Sequence, residues 1–436
     1  MVALTLPILA ESIFRILVMS VDTVMLSGYS QAAVAAVGLV GQYVFFINIM
    51  FNVIAVGTSI VLAQYLGADR RDEARHVAQA GAVMVVITSL TIMAAVLLFT
   101  RSILSLYPID EDVRGFAVQY FTIFGGIGAP FIAFNMLQST VLRSYGHTKD
   151  TMFTTMIANL VNVIGNAVSL YGFFGLPVFG VVGVAISSVF SQLVACVILA
   201  LRIRAMPDVQ FPIRGWREVP AKIYKTVLSI GVPTAGENMA YNTAQIAIMA
   251  MVSSFGTFAM SAQVYTITIA RFVFVFAMSI GSATQIKTGW FVGAKKADDA
   301  YRRVYRYQLI GTALSVGMIL VINLVKMPII GFFTHEPEIV KLTATLLLFS
   351  IYVEFGRSMN LITIAALKGS GDVRFPVFYG ILSMWGIMVF GSWLLGMKLG
   401  LGLVGVWLAT GTDETTRGVI MILRWKSKRW MTKSIA

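Results

Sequence analysis

Between Pro7 and Gly28 the sequence reads PILAESIFRILVMSVDTVMLSG, an apolar run interrupted by Glu11, Arg15 and Asp22. Insertion scales put an ionisable group at the centre of a bilayer at about 2.5–3.5 kcal/mol, so such a group must face a partner or water. Glu11 and Arg15 stand at i and i+4, Asp22 lies two turns beyond Arg15, and on a helix all three can share one face. A carboxylate held there can exchange a proton as its surroundings change, because burial and a neighbouring cation act on it in opposite senses. Asp22 is therefore a candidate proton carrier.

Further groups of the same kind recur. Glu237 follows Pro233 by four residues, as Glu11 follows Pro7. Arg271 lies in TITIARFVFVF, where a cation needs a carboxylate or backbone carbonyls and serves either as half of an ion pair or as a gate. Glu354 and Arg357 (i, i+3), like Asp413 and Arg417 (i, i+4), read as local ion pairs, with Glu354 and Arg357 also candidates for a cavity wall. Asn159, Asn162 and Asn166 make a polar stripe at spacings of three and four, either bonding to a neighbouring helix or lining a cavity.

The elements that hold these groups follow from composition. The chain has 436 residues, 58% hydrophobic and 12% charged, with a mean hydropathy of +0.82. Charge at half the level usual in soluble domains marks a polytopic membrane protein. Apolar runs long enough to cross about 30 Å of hydrocarbon place spans at 3–27, 33–63, 75–99, 115–141, 151–172, 178–201, 223–252, 257–285, 304–325, 339–366, 375–397 and 401–424. The net charge of +13 is segregated: with twelve spans, and with residues near a span end counted with the side they adjoin, 24 of the 33 Lys and Arg fall on one side, five on the other, and four (Arg15, Arg271, Arg357, Arg417) lie inside spans. By the positive-inside rule both termini are cytoplasmic, in an inner (plasma) membrane, and the charge reports topology rather than nucleic-acid binding. The first span lacks the basic start and cleavage site of a signal peptide and is expected to stay as a helix.

The chain also repeats. At a shift of 226, Pro7, Glu11, Thr58, Gly67-Ala68 and Asp72 meet Pro233, Glu237, Thr284, Gly293-Ala294 and Asp298; at 225, Leu142-Arg143-x-x-Gly146 meets Leu367-Lys368-x-x-Gly371. Six spans per half is an even number, so the halves share an orientation about an axis along the membrane normal. The expected architecture is all-α: an N-lobe over 1–202, a cytoplasmic linker over 203–222, and a C-lobe with a basic tail over 223–436. Neither a Walker A sequence, nor G-x-S-x-G, nor H-E-x-x-H occurs, which argues against ATP-driven pumping and hydrolysis and for an ion gradient as energy source. Cys196 and three His residues offer no metal set and no disulfide.

Asp22-Thr-Val-Met-Leu-Ser-Gly28, Val61-Leu-Ala-Gln64-Tyr-Leu-Gly67-Ala68, Leu142-Arg-Ser-Tyr-Gly146-His-Thr-Lys149 and Pro233-x-x-x-Glu237 together resemble the multidrug and toxic compound extrusion (MATE) family. The resemblance implies two six-helix lobes in a V with pseudo-twofold symmetry, and export of cationic lipophilic compounds in exchange for H⁺ or Na⁺ without a cofactor. It maps ion coupling onto Asp22 and Glu237, with Arg271 as a partner in the second lobe, and leaves Glu11, Arg15, the three Asn, Glu354 and Arg357 for the cavity. Arg357 stands where Na⁺-linked members carry Asp, so the resemblance favours the DNA-damage-inducible (DinF-like), H⁺-coupled branch. A monomer is expected. The alternatives are a Na⁺-coupled antiporter, a flippase for a lipid-linked precursor, which a large basic cavity would favour, or, from another class, a channel or intramembrane enzyme.

Overall fold

The structure, a computed structural model, describes residues 1–172, 177–211 and 216–435. Residues 212–215 of the expected linker lie outside the described residues.

Twelve long helices run through the described residues, and no strand is found among them. They are α1 (Val2–Tyr29), α2 (Gln31–Gly67), α3 (Arg71–Leu104), α4 (111–145), α5 (Thr148–Tyr171), α6 (Gly180–Ala205), α7 (Ala221–Ser253), α8 (Thr257–Gly293), α9 (Ala297–Leu324), α10 (Pro337–Gly369), α11 (Arg374–Lys398) and α12 (Gly402–Lys426). A short helix, Lys326–Phe333, joins α9 to α10. Each long helix coincides with one span expected from hydropathy. Eight are long and apolar enough to cross a membrane unaided, and α4 adds a ninth if its two arms count as one span. The other three, α1, α7 and α12, carry mid-helix ionisable residues. Large apolar side chains such as Leu98, Leu309 and Phe378 stand outward on the helices, as a lipid-facing surface requires.

The repeat has a direct structural image. α2 and α8 are both 37 residues long, and adding 226 to the bounds of α2 gives the bounds of α8. The motif L-[RK]-x-x-G is a helix stop in each half. Gly146 (φ 97°) and Gly371 (φ 94°) take the left-handed conformation that glycine adopts without penalty. In the first half the Gly146 and His147 N–H groups donate to Arg143 and Leu142 carbonyls at 3.0 and 2.9 Å; Gly371 and Asp372 repeat this onto Lys368 and Leu367, both at 3.0 Å. These are the paired bonds that close a helix C-terminus. The halves differ at α4, which bends by 44° where a π-helical stretch, Phe121–Ile127, meets Ala129–Tyr145. Pro130 has no N–H to give and its ring crowds the carbonyl four residues back, which accounts for the break.

Two compact units result, one of Val2–Leu62 and Arg70–Gly231, the other of Met1, Ala63–Asp69 and Val232–Ala436. The division passes through α7 at Gly231 and Val232 rather than through the connection at 203–222. In the second unit the end of α2 lies against the end of α8 with no room for a side chain: a Cβ on Gly293 would sit 1.9 Å from the Gln64 carbonyl oxygen. The fully buried Gln64 side chain donates to the Gly369 carbonyl (2.9 Å) and accepts from the Ile435 N–H (2.7 Å), tying α2, α10 and the C-terminal segment together.

Gly293→Ala should therefore cost about 1–3 kcal/mol, as overpacking a close-fitted contact does, seen as a lower melting temperature of the purified protein. Gly236→Ala, where nothing lies within 4 Å of the added carbon, should leave the melting temperature unchanged or raise it.

Candidate functional site

Four groups of ionisable residues lie within the helices, two of them copies of one arrangement. Glu11 on α1 is 2% exposed. Both its oxygens accept from Arg143 Nη2 at the end of α4 (2.6 and 2.7 Å), and one also accepts from Thr155 Oγ1 (3.1 Å) and Arg15 Nη2 (3.0 Å). Glu237 on α7, the repeat partner of Glu11, is buried and accepts from Lys368 Nζ at the end of α10 (2.6 Å). In each half, then, the acid of P-x-x-x-E neutralises the cation of L-[RK]-x-x-G and clamps the first helix to the fourth. Glu11 and Glu237 are both engaged by a cation.

Asp22 is placed differently. Half-buried on α1, its Oδ1 accepts from Asn166 Nδ2 on α5 (3.0 Å). Asn166 also donates to Asn162 Oδ1 (3.3 Å), and Asn162 donates to Ser188 Oγ on α6 (3.1 Å). The Tyr120 hydroxyl also pairs with Ser188, and Tyr120 lies within electrostatic reach of Asp22. Among the described residues no cation pairs with Asp22; Arg15, two turns earlier on the same helix, turns to Glu11 with its side chain 60% exposed. Two of the three stripe asparagines thus join the chain that ends on Asp22, while Asn159 Nδ2 is buried without a hydrogen-bond partner.

The second unit holds a denser cluster. Arg357 on α10 pairs with Glu354 one turn earlier and with Glu414 on α12 (3.3 Å). Arg417 Nη2 reaches Asp413 Oδ2 (2.6 Å) and Glu414 Oε2 (3.2 Å). Asn360 Nδ2 donates to Glu414 Oε2 (2.8 Å) and Ser383 Oγ on α11 to Asp413 Oδ1 (2.6 Å). The two local pairs expected from spacing both form, and Glu414, which spacing alone did not single out, welds them into one network of three carboxylates and two guanidinium groups. No group of three or more His, Cys, Asp or Glu among the described residues is arranged to hold a metal ion.

Beside this network lies a cavity of about 320 Å³. Tyr241, Gln245 and Ile248 reach it from α7 at i, i+4 and i+7; Gln263, Ile267, Ala270, Arg271 and Phe274 line it from α8 along one face; Trp407 and Thr410 come from α12. Trp407 Nε1 donates to Gln263 Oε1 (2.5 Å), which fixes the indole plane. Arg357 stands where cavity and network meet, its guanidinium 5.7 Å from the Phe274 ring centre. Arg271 lines the same cavity and has no hydrogen-bond or ion-pair partner among the described residues. Of the residues assigned from sequence, Glu354, Arg357 and Arg271 come together here, Asp22, Asn162 and Asn166 in the first unit, and Glu11 with Arg15 apart from both. The partners Arg143 and Lys368 were within reach of sequence reasoning, since the repeat carries an acid motif and a cation motif together in each half. The run Asp413-Glu414-x-x-Arg417 likewise offers its Arg a second acid at i, i+3.

A twelve-helix duplicated bundle with ionisable groups sunk in its helices defines a multi-pass membrane transporter rather than an enzyme. The MatE family model matches residues 7–168 and 233–394, two stretches that start 226 residues apart, the shift read from the repeat. The uncharacterized transporter YisQ of Bacillus subtilis (strain 168) is 35% identical over 437 residues, spanning the whole chain and 95% of that protein. A probable multidrug resistance protein NorM of Thermotoga maritima is 24% identical over 442 residues, again spanning the whole chain and 93% of the relative. An outward-facing multidrug resistance MATE family transporter of the MOP superfamily superposes with a TM-score of 0.91 at 20% identity, over 99% of this chain and 96% of that one, a likeness of fold. The chain belongs to the MatE family.

Lys368→Met should destabilise the protein by about 3–5 kcal/mol, because it leaves Glu237 buried without its cation. Adding Glu237→Gln should recover much of that loss. A thermal-melting double-mutant cycle without strong positive coupling between the two sites would show that the pair does not clamp α7 to α10.

Proposed function

We propose that the protein is a secondary active multidrug efflux transporter that exchanges lipophilic small molecules for protons, with Asp22 as the proton-carrying group. The observation that carries this is the contrast among the acids. Glu11 and Glu237 are each held by a cation at 2.6 Å, and Glu354, Asp413 and Glu414 share two arginines. Asp22 is held, among the described residues, by the Asn166 amide alone. A carboxylate with no counter-charge is the one whose protonation removes a net charge from its surroundings. Protonated, it becomes a donor as well as an acceptor, and the chain through Asn166, Asn162 and Ser188 must rearrange to suit. A group with different partners in two states can bias a conformational equilibrium, provided protonation differs in free energy between them.

In this reading the proton is the coupling ion and no cofactor is needed, as in the DinF-like branch. The chain works as a monomer in the plasma membrane with both termini in the cytoplasm, which the distribution of Lys and Arg supports. Lipophilic cations are the substrates suited to the half that carries Asp22. Na⁺ coupling through Glu237 draws no support from a carboxylate already occupied by Lys368.

In proteoliposomes an imposed pH gradient should drive ethidium efflux, and Asp22→Asn should abolish it while leaving the melting temperature near that of the wild type. A Na⁺ gradient alone should drive none. Efflux driven only by Na⁺, or undiminished in Asp22→Asn, would sink the proton assignment.

A further inference from the structure

Arg271 is an anomaly that proton exchange through Asp22 does not use. It sits midway along α8, in a stretch expected to lie at membrane depth, and its side chain is exposed on the cavity that it lines. The cations of the clamp and the network are matched: Lys368 by Glu237, Arg357 by Glu354 and Glu414, Arg417 by Asp413 and Glu414. Arg271 has none of these acids. Glu354 has Arg357 and Glu414 as its charged neighbours, and the cavity that Arg271 lines contains two arginines and no carboxylate. What surrounds the guanidinium is a recognition surface, with the rings of Tyr241, Phe274 and Trp407 as walls and the amides of Gln245 and Gln263 as neutral hydrogen-bonding groups. Ligand-binding clefts have this composition, an aromatic lining with a few convergent polar groups.

An exposed guanidinium on an aromatic wall, with a second arginine and no carboxylate beside it, suits a ligand that brings the counter-charge. We propose that the cavity between α7, α8, α10 and α12 is a binding site for an aromatic or lipophilic anion, whose carboxylate, sulfonate or phosphate pairs with Arg271 while its apolar body lies against Phe274 and Trp407. Three features agree with this. A guanidinium presents a planar fork of donors that matches such oxyanions. Arg357 adds a second positive charge on the cavity wall, and its acids lie on the network side. The volume of about 320 Å³ is at the small end for ligand pockets, which suits a compact aromatic anion better than a lipid carrying a glycan. The inference rests on the transporter reading and adds to it a substrate of charge opposite to the lipophilic cations expected for the other half.

The test is equilibrium binding in nanodiscs with no ion gradient, so that it is read independently of the coupling ion. Two probes share one ring system and differ in charge: pyrene-1-sulfonate and pyren-1-ylmethylammonium, followed by energy transfer from tryptophan. The sulfonate should bind the wild type about tenfold or more tightly than the ammonium, the scale of one charge-assisted hydrogen bond. Arg271→Gln should erase that preference without lowering the melting temperature, and Arg271→Lys, which keeps the charge but not the fork, should retain part of it. A polyprenyl phosphate that displaces the sulfonate would identify the anion as lipid-borne; failure to displace it would leave a free amphiphile. Equal or tighter binding of the ammonium by the wild type, or an unchanged preference in Arg271→Gln, would overturn the proposal. Loss of pH-driven ethidium efflux in Asp22→Asn with the sulfonate preference intact would show the two assignments to be separate, and a failed efflux experiment would leave the binding result standing.

Discussion

A charge inside an apolar bundle must find an opposite charge or an obligatory use, and the arrangement of this protein follows from how that condition is met. The two acid–cation clamps meet it by closing each half on itself. Glu11 reaches from α1 to Arg143, and Glu237 from α7 to Lys368, in both cases to the residue three before the glycine that ends the helix. The cation is thus placed by a backbone device, the left-handed glycine, and the acid by its distance from a proline in the opposing helix. Because a buried ion pair often gains little over an apolar pair of the same shape, the clamp specifies register: α1 against α4 and α7 against α10 can slide only by exposing a charge to hydrocarbon.

This also explains which parts of the structure could be read from the chain. All twelve helices were legible because hydrocarbon thickness sets a length scale that soluble folds lack. The repeat was legible because α2 and α8 keep their length to the residue. The clamps were half legible: both motifs stood out in both halves, but nothing in one dimension said that they face each other. The shared helix face of Glu11, Arg15 and Asp22 was a fair geometric inference that the packing did not use, because Arg15 has a buried acid one turn away while Asp22 meets the amide stripe of α5. Glu414 escaped notice for the converse reason. Pairing by spacing stops at the first acid that satisfies Arg417, whereas the fold brings α10 alongside α12, and the extra acid then completes the shell of Arg357 from another helix.

Duplication makes the exceptions informative. The repeat partner of Asp22 is Ile248, and that of Arg271 is Phe45, so each of these two charges stands where the other half carries an apolar residue. Had either charge been needed to fold a half, both halves would need it, since they share helix lengths, helix stops and clamps. Neither Asp22 nor Arg271 belongs to the features that the two halves share, which is what the proposed roles in proton exchange and anion binding require. An acid held by amides can give up its charge to a proton and remain in place. An arginine cannot, because it does not lose its proton in the accessible pH range, so an exposed one on a cavity wall without carboxylates keeps a charge that an arriving anion can balance. On the proposed reading the same scaffold presents two kinds of site, one that changes its own charge and one that takes a charged ligand.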